Sequence, residues 1–245
     1  MTSRTRSTGS HARSRLGASP AVPERGVGSQ LRDSLTRHAL RLVEEHGPDG
    51  LTLRAVARAA EASHNAPYIY FPGGVIELLA VVAIHGFEAF IAALEHSPVK
   101  SDPVERTHEV VRRYVRFGVE RPQLYRAMFH ARLADSLENP DDSTLPAARA
   151  PETFLTLRML KVEAYELLVA PLFALESKGS LRAGNPREFG LAVAALAHGL
   201  VGEFIDEGLE GRASRLQPWS KPRREMTAAI TDMLLHGLLA TPARL

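Results

Sequence analysis

The chain has 245 residues, 44% hydrophobic and 24% charged, so it is long enough for a sizeable core and too mixed for wholesale disorder, a collagen-like repeat or a coiled coil. It contains no cysteine, which excludes disulfides, thiolate zinc sites, iron–sulfur clusters and cysteine nucleophiles and fits a reducing compartment. Net charge is only +2 and unevenly placed: residues 1–28 carry Arg4, Arg6, Arg13, Arg15 and Arg25 against Glu24, while residues 29–245 sum to −2.

Residues 1–28, rich in Ser, Thr, Arg, Gly and Pro and without periodicity, are expected to form a disordered basic arm. They hold no apolar run of signal-peptide length. The longest apolar stretches, Val75 to Ile84 and Leu191 to Gly202, are expected to be too short for a bilayer, so a cytoplasmic protein without membrane contact is expected.

From residue 29 onward the periodicity is helical. Leu31, Leu35, Ala39, Leu42 and Val43 form one stripe, and Gly47-Pro48-Asp49-Gly50 ends that helix. Thr52 is placed to cap a short helix with the apolar face Leu53, Val56, Ala57 and Ala60, and Ser63 to cap another. Val75 to Ala93 continue as a long fourth helix ending near Pro98. A fifth runs from Glu105 to Glu120, and a sixth carries Leu124, Met128 and Leu133. Residues 138–151 read as a loop, followed by a long helix over 152–177 bent at Pro171, a helix over 187–208, a proline-bearing loop, and a last helix over 223–240. No alternating strand pattern or internal repeat is present, so the fold class is all-α.

The window Leu51 to Phe71 carries the most information. Two short capped helices across a tight turn have the geometry of a DNA-binding helix-turn-helix, whose second helix enters the major groove by its N-terminal end. Capped by Ser63, that helix would turn His64, Asn65 and Ala66 to the bases, where Asn suits adenine and Ala a thymine methyl. Tyr68 and Tyr70 would set hydroxyls near phosphates, helped by the helix dipole, while Phe71 reads as packing. The same arrangement also occurs in proteins that bind no DNA, and residues 31–71 hold five arginines and five acids, so local charge does not decide between the two.

The run from ALRLVEEHG through GLTLRAVARAA to the Tyr-x-x-Phe ending and the long fourth helix resembles the N-terminal domain of the TetR family of bacterial transcriptional regulators. The variant Ser63-His64-Asn65-Ala66-Pro67-Tyr68 and the stretch Tyr114 to Phe129 are similar to a branch with a C-terminal Trp-His-Gly element, here Ala197-His198-Gly199. The resemblance implies an N-terminal three-helix helix-turn-helix domain at residues 29–76 and a helical effector-binding and dimerisation domain at 77–245. It implies DNA contacts from Thr52 and Arg54 on the second helix and from Ser63, His64, Asn65, Ala66, Tyr68 and Tyr70 on the third. It further implies an effector pocket among the middle helices, with candidate walls Phe117, Tyr125, Met128, Phe129, Met159, Tyr165, Phe173 and His198. Two positions depart from the family pattern: Glu61 stands where Gly is usual in the turn, and Gly73-Gly74 where a Lys usually follows the aromatic motif.

One recognition helix reads few base pairs, so a homodimer on palindromic double-stranded DNA is expected. Leu191, Ala195, Gly199 and Gly202 form one candidate dimer stripe, and Met226, Ile230, Met233 and Leu234 a second; packing of both within one chain is the alternative. The expected function is a regulator, a repressor released from its operator by a small-molecule effector, with no cofactor or metal. The alternatives are a constitutive DNA-binding module without effector, and a helical di-iron enzyme using the Glu61-x-x-His64 and Glu105-x-x-His108 pairs. If the basic arm reaches the DNA backbone or minor groove, deleting residues 1–28 weakens operator binding and flattens its dependence on salt, measured by fluorescence anisotropy across a salt series. Unchanged affinity and slope would assign the arm no role.

Overall fold

The computed structural model describes residues 25–95, 102–139, 141–207 and 222–239. The expected arm lies outside them except for its last four residues, which belong to helix α1 (Arg25–His46). The helix therefore begins earlier than the composition suggests. Its stripe is as read: Leu35, Ala39 and Val43 are fully buried. Gly47 ends it with a backbone φ of 77°, a conformation that calls for glycine, and the Gln123 side chain lies over the space a Cβ would take.

A single 3-10 turn at Pro48–Gly50 leads to α2 (Leu53–Ala59). The Thr52 hydroxyl accepts the Ala55 N–H at 3.1 Å, a cap worth about 1 kcal/mol. Leu53, Val56 and Ala57 are buried beneath α2. Helix α3 differs from expectation: it spans only Ala66–Tyr70, with Asn65 at its N-cap, and Ser63 makes no side-chain cap. A helix begun at Ser63 would put Pro67 four residues in, where its ring meets the Ser63 carbonyl and its missing N–H costs a hydrogen bond. Starting at Ala66 places Pro67 in the first turn, where no N–H is needed.

Helix α4 (Gly74–Glu95) is buried almost all round, from Leu78 through Ala83 and again at Phe87, Phe90, Ile91 and Leu94. It packs against α1, α5 (Pro103–Glu120), α6 (Pro122–Met128) and α9 (Pro151–Ser177). The absence of a Lys before α4 has a steric reason. A Cβ at Gly73 would lie 2.9 Å from the Glu77 Cβ and 3.1 Å from the Pro146 carbonyl oxygen. The Gly73 N–H instead donates to the Glu77 carboxylate at 2.8 Å. Burial pushes the Glu77 carboxyl above its ordinary value, opposed by that hydrogen bond, the charge of Arg32 and the Thr153 hydroxyl.

The expected sixth helix divides into α6, a 3-10 turn at Ala131–Leu133 and α7 (Ala134–Glu138), because the His130 ring accepts the Arg132 N–H and starts a new turn. The expected loop at 138–151 contains a four-residue helix, α8 (Pro146–Arg149), begun by a proline in its first turn. Helix α9 runs unbroken through the buried Pro171. Helices α10 (Pro186–Glu207) and α11 (Arg223–Leu238) complete the described chain. Arg182 joins the α9–α10 connection to the end of α11: its N–H donates to the Leu238 carbonyl at 2.8 Å and its guanidinium to the Gly237 carbonyl at 3.0 Å. The expectation about membrane-length helices needs correction. By length and composition alone, Gly74–Glu95 and Pro186–Ile205 are both long and apolar enough to cross a bilayer, the first being largely enclosed within the protein.

Glu61 is the one non-glycine with positive φ among the described residues, at 52°, in the α2–α3 turn. A left-handed backbone costs an L-residue about 1–2 kcal/mol. Glu61→Gly is therefore expected to stabilise the fold by about 1 kcal/mol and raise the melting temperature by about 2–4 °C in calorimetry.

Candidate nucleic-acid interface and adjoining cleft

Helices α2 and α3 present a polar face to solvent. Thr52, Arg54, Ser63, His64, Asn65 and Tyr68 are exposed, and Tyr70 is half-buried against the core. Arg54 donates its Nε–H to His64 Nε2 at 3.2 Å, and His64 Nδ1 lies 3.4 Å from Asn65 Oδ1. The first bond makes Nε2 the acceptor, so Nδ1 carries the proton and donates to Asn65, leaving the Asn65 amide N–H₂ outward. The His64 ring also stacks on Tyr68, centroids 6.1 Å apart and 26° between planes. Four side chains, from α2, the turn and α3, thus brace one another around the start of α3.

Ala66 does not join this face: it is 4% exposed and packs inward, so its methyl is not available to a base. Ile69, 72% exposed, is the apolar group on the outer surface of α3. By residue type, Tyr68-Ile69-Tyr70-Phe71 draws attention to its aromatics. With the helix starting at Ala66, the periodicity turns Phe71 inward and Ile69 outward. The backbone contributes less than expected. The Ala66 and Tyr68 N–H groups are taken by the Ser63 and Asn65 carbonyls, and Pro67 has none, so the first three positions of α3 hold no free backbone donor for a phosphate. Side chains must supply recognition.

Helix α6 connects this domain to the rest. Arg121 pairs with Glu44 of α1 at 3.1 Å, His130 approaches Asp49 of the inter-helix turn at 3.1 Å, and Gln123 fills the space left by Gly47. On its other side α6 presents Tyr125, whose hydroxyl lies 2.5 Å from His198 Nδ1 and 3.0 Å from the Tyr114 hydroxyl. With His198 Nδ1 accepting, the donors run from Tyr114 to Tyr125 to His198. Burial pushes the Tyr114 phenol up to about 12, raises that of Tyr125 further, and pushes His198 below its ordinary value, so all three are neutral. Phe129 packs its edge on the His198 ring at 4.8 Å. These groups open on a cleft of about 340 Å³ lined by Pro48, Asp49, Tyr125, Arg126, Phe129, His130, His198, Gly202 and Ile205.

The cleft therefore unites three of the expected pocket residues, Tyr125, Phe129 and His198. Phe117 and Met128 are buried in the core beside it. Three expected walls do not reach it. Met159 is 63% exposed on α9, in an apolar stripe with Leu155 and Val162; Phe173 lies under the Arg187 guanidinium; and the Tyr165 hydroxyl donates to the Arg187 carbonyl. All three occupy outer faces of α9, whose helical phase directs Leu157, Ala164, Leu168 and Leu172 inward instead. Sequence reasoning missed Tyr114, although it lies one turn before Phe117 on the same stripe of α5. Pro48, Asp49 and His130 come from segments that read as connections, and only the packing of α6 on the turn assembles them.

Of the two stripes near the C-terminus, Leu191, Ala195 and Gly199 are exposed, Gly202 is half-buried, and a Cβ at Gly199 or Gly202 would meet nothing within 4 Å. On α11, Met233 is 75% exposed, whereas Met226, Ile230 and Leu234 are half-buried against the chain's own core. The Glu-x-x-His pairs do not converge: Glu61 and His64 belong to the exposed turn, His108 faces Asp232 at 3.7 Å, and no group of three or more potential metal ligands forms among the described residues.

These features define an all-helical, DNA-binding transcriptional regulator built on a helix-turn-helix. Residues 35–73 match the bacterial regulatory proteins of the tetR family. Similar solved structures include a protein of unknown function from Rhodococcus sp. RHA1, 24% identical with a TM-score of 0.62, covering 86% of this chain and 96% of that one. The TetR family transcriptional regulator PfmR from Thermus thermophilus is 21% identical with a TM-score of 0.56, covering 82% and 97%. A regulatory protein in the tetR family from Rhodococcus RHA1 is 16% identical with a TM-score of 0.58, covering 86% and 99%. No curated protein is significantly similar in sequence.

Because the fold holds His198 below its ordinary value of 6.5, the unfolded chain takes up a proton there first as pH falls. Stability is thus expected to drop as pH falls through and below about 6.5. His198→Gln should flatten this part of the curve in denaturant titrations; an unchanged slope would mean that His198 does not titrate between the two states.

Proposed function

We propose that the chain is a cytoplasmic, homodimeric repressor that binds a palindromic operator through Thr52, Arg54, Ser63, His64, Asn65, Tyr68 and Tyr70, and leaves it when a small molecule occupies the cleft beside His198. The observation that carries this reading is the braced array Arg54–His64–Asn65–Tyr68, held outward at the start of α3. A preorganised Asn amide offers the bidentate geometry that adenine accepts, and the exposed Ile69 takes over the thymine-methyl role first given to Ala66. The DNA-binding domain corresponds to residues 29–76, with α4 shared between it and the effector and dimerisation part at 77–245.

Dimerisation is supported by the open face of α10. Leu191, Ala195 and Gly199 are exposed and the half-buried Gly202 continues their stripe, its small residues admitting close approach of a second helix, with Met233 exposed on α11. Met226, Ile230 and Leu234 support that surface from below.

Effector release follows from the walls of the cleft. Pro48 and Asp49 belong to the turn that carries α2, whereas Tyr125, Phe129 and His198 belong to the body. A molecule fitted between them displaces the His130–Asp49 contact and tilts the helix-turn-helix relative to the dimer. The two recognition helices then lose the spacing of successive major grooves. A preference of about tenfold for the displaced state corresponds to roughly 1.4 kcal/mol, within the usual range of allosteric coupling.

Selection of bound DNA from a random pool with the full chain is expected to enrich an inverted repeat. Asn65→Ala should lower affinity for that repeat by about tenfold or more, since a bidentate base contact is worth roughly 1–3 kcal/mol, without lowering the melting temperature. Recovery of no enriched sequence, or of one that Asn65→Ala binds equally well, would overturn the assignment.

A further inference from the structure

A second cleft, of about 490 Å³, lies between α5, α10 and α11 and shares no lining residue with the one beside His198. Its floor is apolar, made by Val115 and Val119 of α5 and by Phe204 of α10. Around that floor stand Arg112 and Arg116, one turn apart on α5, and Arg223 and Arg224 in the first turn of α11; Thr227 and Glu120 complete the wall.

This concentration of cations is poorly compensated from within the chain. Arg112 has the buried Glu109 as its partner, but Glu109 also binds Arg113. Arg116, Arg223 and Arg224 have no carboxylate within ion-pair distance among the described residues, and the Arg223 guanidinium lies over the Phe204 ring, 5.7 Å from its centroid. Two arginines occupy the first two positions of α11, where a helix favours anions, and Glu225 follows them in the first turn without an ion pair to either. Burial, followed by the charges of Arg224, Arg113 and Arg116, lowers the proton affinity of the Arg112 guanidinium. Like charges gathered over an apolar surface repel one another unless an anion joins them.

We propose that the cleft between α5, α10 and α11 binds an amphipathic organic anion, its carboxylate or phosphate head held by Arg112, Arg116 and Arg224 and its apolar body laid on Val115, Val119 and Phe204. Planar guanidinium forks match either head group bidentately, and the volume suits a small organic molecule. The apolar floor distinguishes this ligand from a bare inorganic anion. The ring of cations distinguishes it from a neutral hydrophobe. The inference depends on neither the operator nor the effector assigned above, because it concerns binding alone.

Isothermal titration of the full chain with octanoate, octyl phosphate, octanol and inorganic phosphate tests it. At least one of the two amphiphilic anions is expected to bind, at least tenfold more tightly than octanol or inorganic phosphate, and the tighter of the two identifies the head group. The double variant Arg116→Ala, Arg224→Ala should lower that affinity by at least tenfold, while the melting temperature of the free protein stays the same or rises as repulsion is relieved. Absence of binding by both anions, equal binding of octanol, or undiminished binding by the double variant would overturn the proposal.

Discussion

The burial of α4 is the constraint on which the rest of the molecule depends. It packs against α1 and α2 of the helix-turn-helix domain and against α5, α6 and α9 of the remaining chain. One buried helix therefore serves two halves, and the buried apolar residues form one continuous cluster from Leu35 to Leu238. The short helices α2 and α3 are far below the length at which a helix holds itself in water, so their geometry derives from this shared support and from Thr52. At the point where α4 begins, Gly73 and Glu77 take space and hydrogen bonds that a lysine would have claimed. A tight junction thus stands where the resemblance to the family sets a lysine.

That arrangement gives α6 its importance. It is short, yet it meets the DNA-binding domain through Arg121, Gln123 and the following His130, and the cleft through Tyr125 and Phe129. A donor chain from Tyr114 to His198 holds its cleft side, and neutral groups throughout keep that chain intact without a buried charge. Movement of α6 reaches Glu44 and Asp49 through single contacts, a short physical connection between the cleft and the turn before α2.

The two clefts differ in chemistry. The one beside His198 has aromatic walls and a polar network already satisfied internally, whereas the one beneath α11 holds Arg116, Arg223 and Arg224, which have no carboxylate partner among the described residues, beside the paired Arg112. Opposite sides of α5 serve the two: Tyr114 joins the hydrogen-bonded chain behind the first cleft, while Arg112 and Arg116 line the second. The helical period of α5 places these residues two positions apart on different faces.

Much of this is legible in the residues. The all-α class, the stripe of α1, the stop at Gly47-Pro48, the Thr52 cap and the helix-turn-helix follow from short-range rules acting on neighbours in sequence. The left-handed backbone at Glu61 is indicated only by the resemblance, which sets Gly at that position. Other features are not. Ser63 and Asn65 are comparable capping residues by type, but Pro67 moves the N-cap of α3 to Asn65 and with it the fates of Ala66 and Ile69. Met159, Tyr165 and Phe173 are suitable pocket residues by type, but the phase of α9 against α4 turns them outward. Local chemistry along the chain is enough to specify which segments become helices and where the helix-turn-helix lies, because caps, turns and periodicity act within a few residues. Which side chains share a cleft is settled later, by packing: helix phase and the close approach of α6, α10 and α11 arise between residues far apart in the chain.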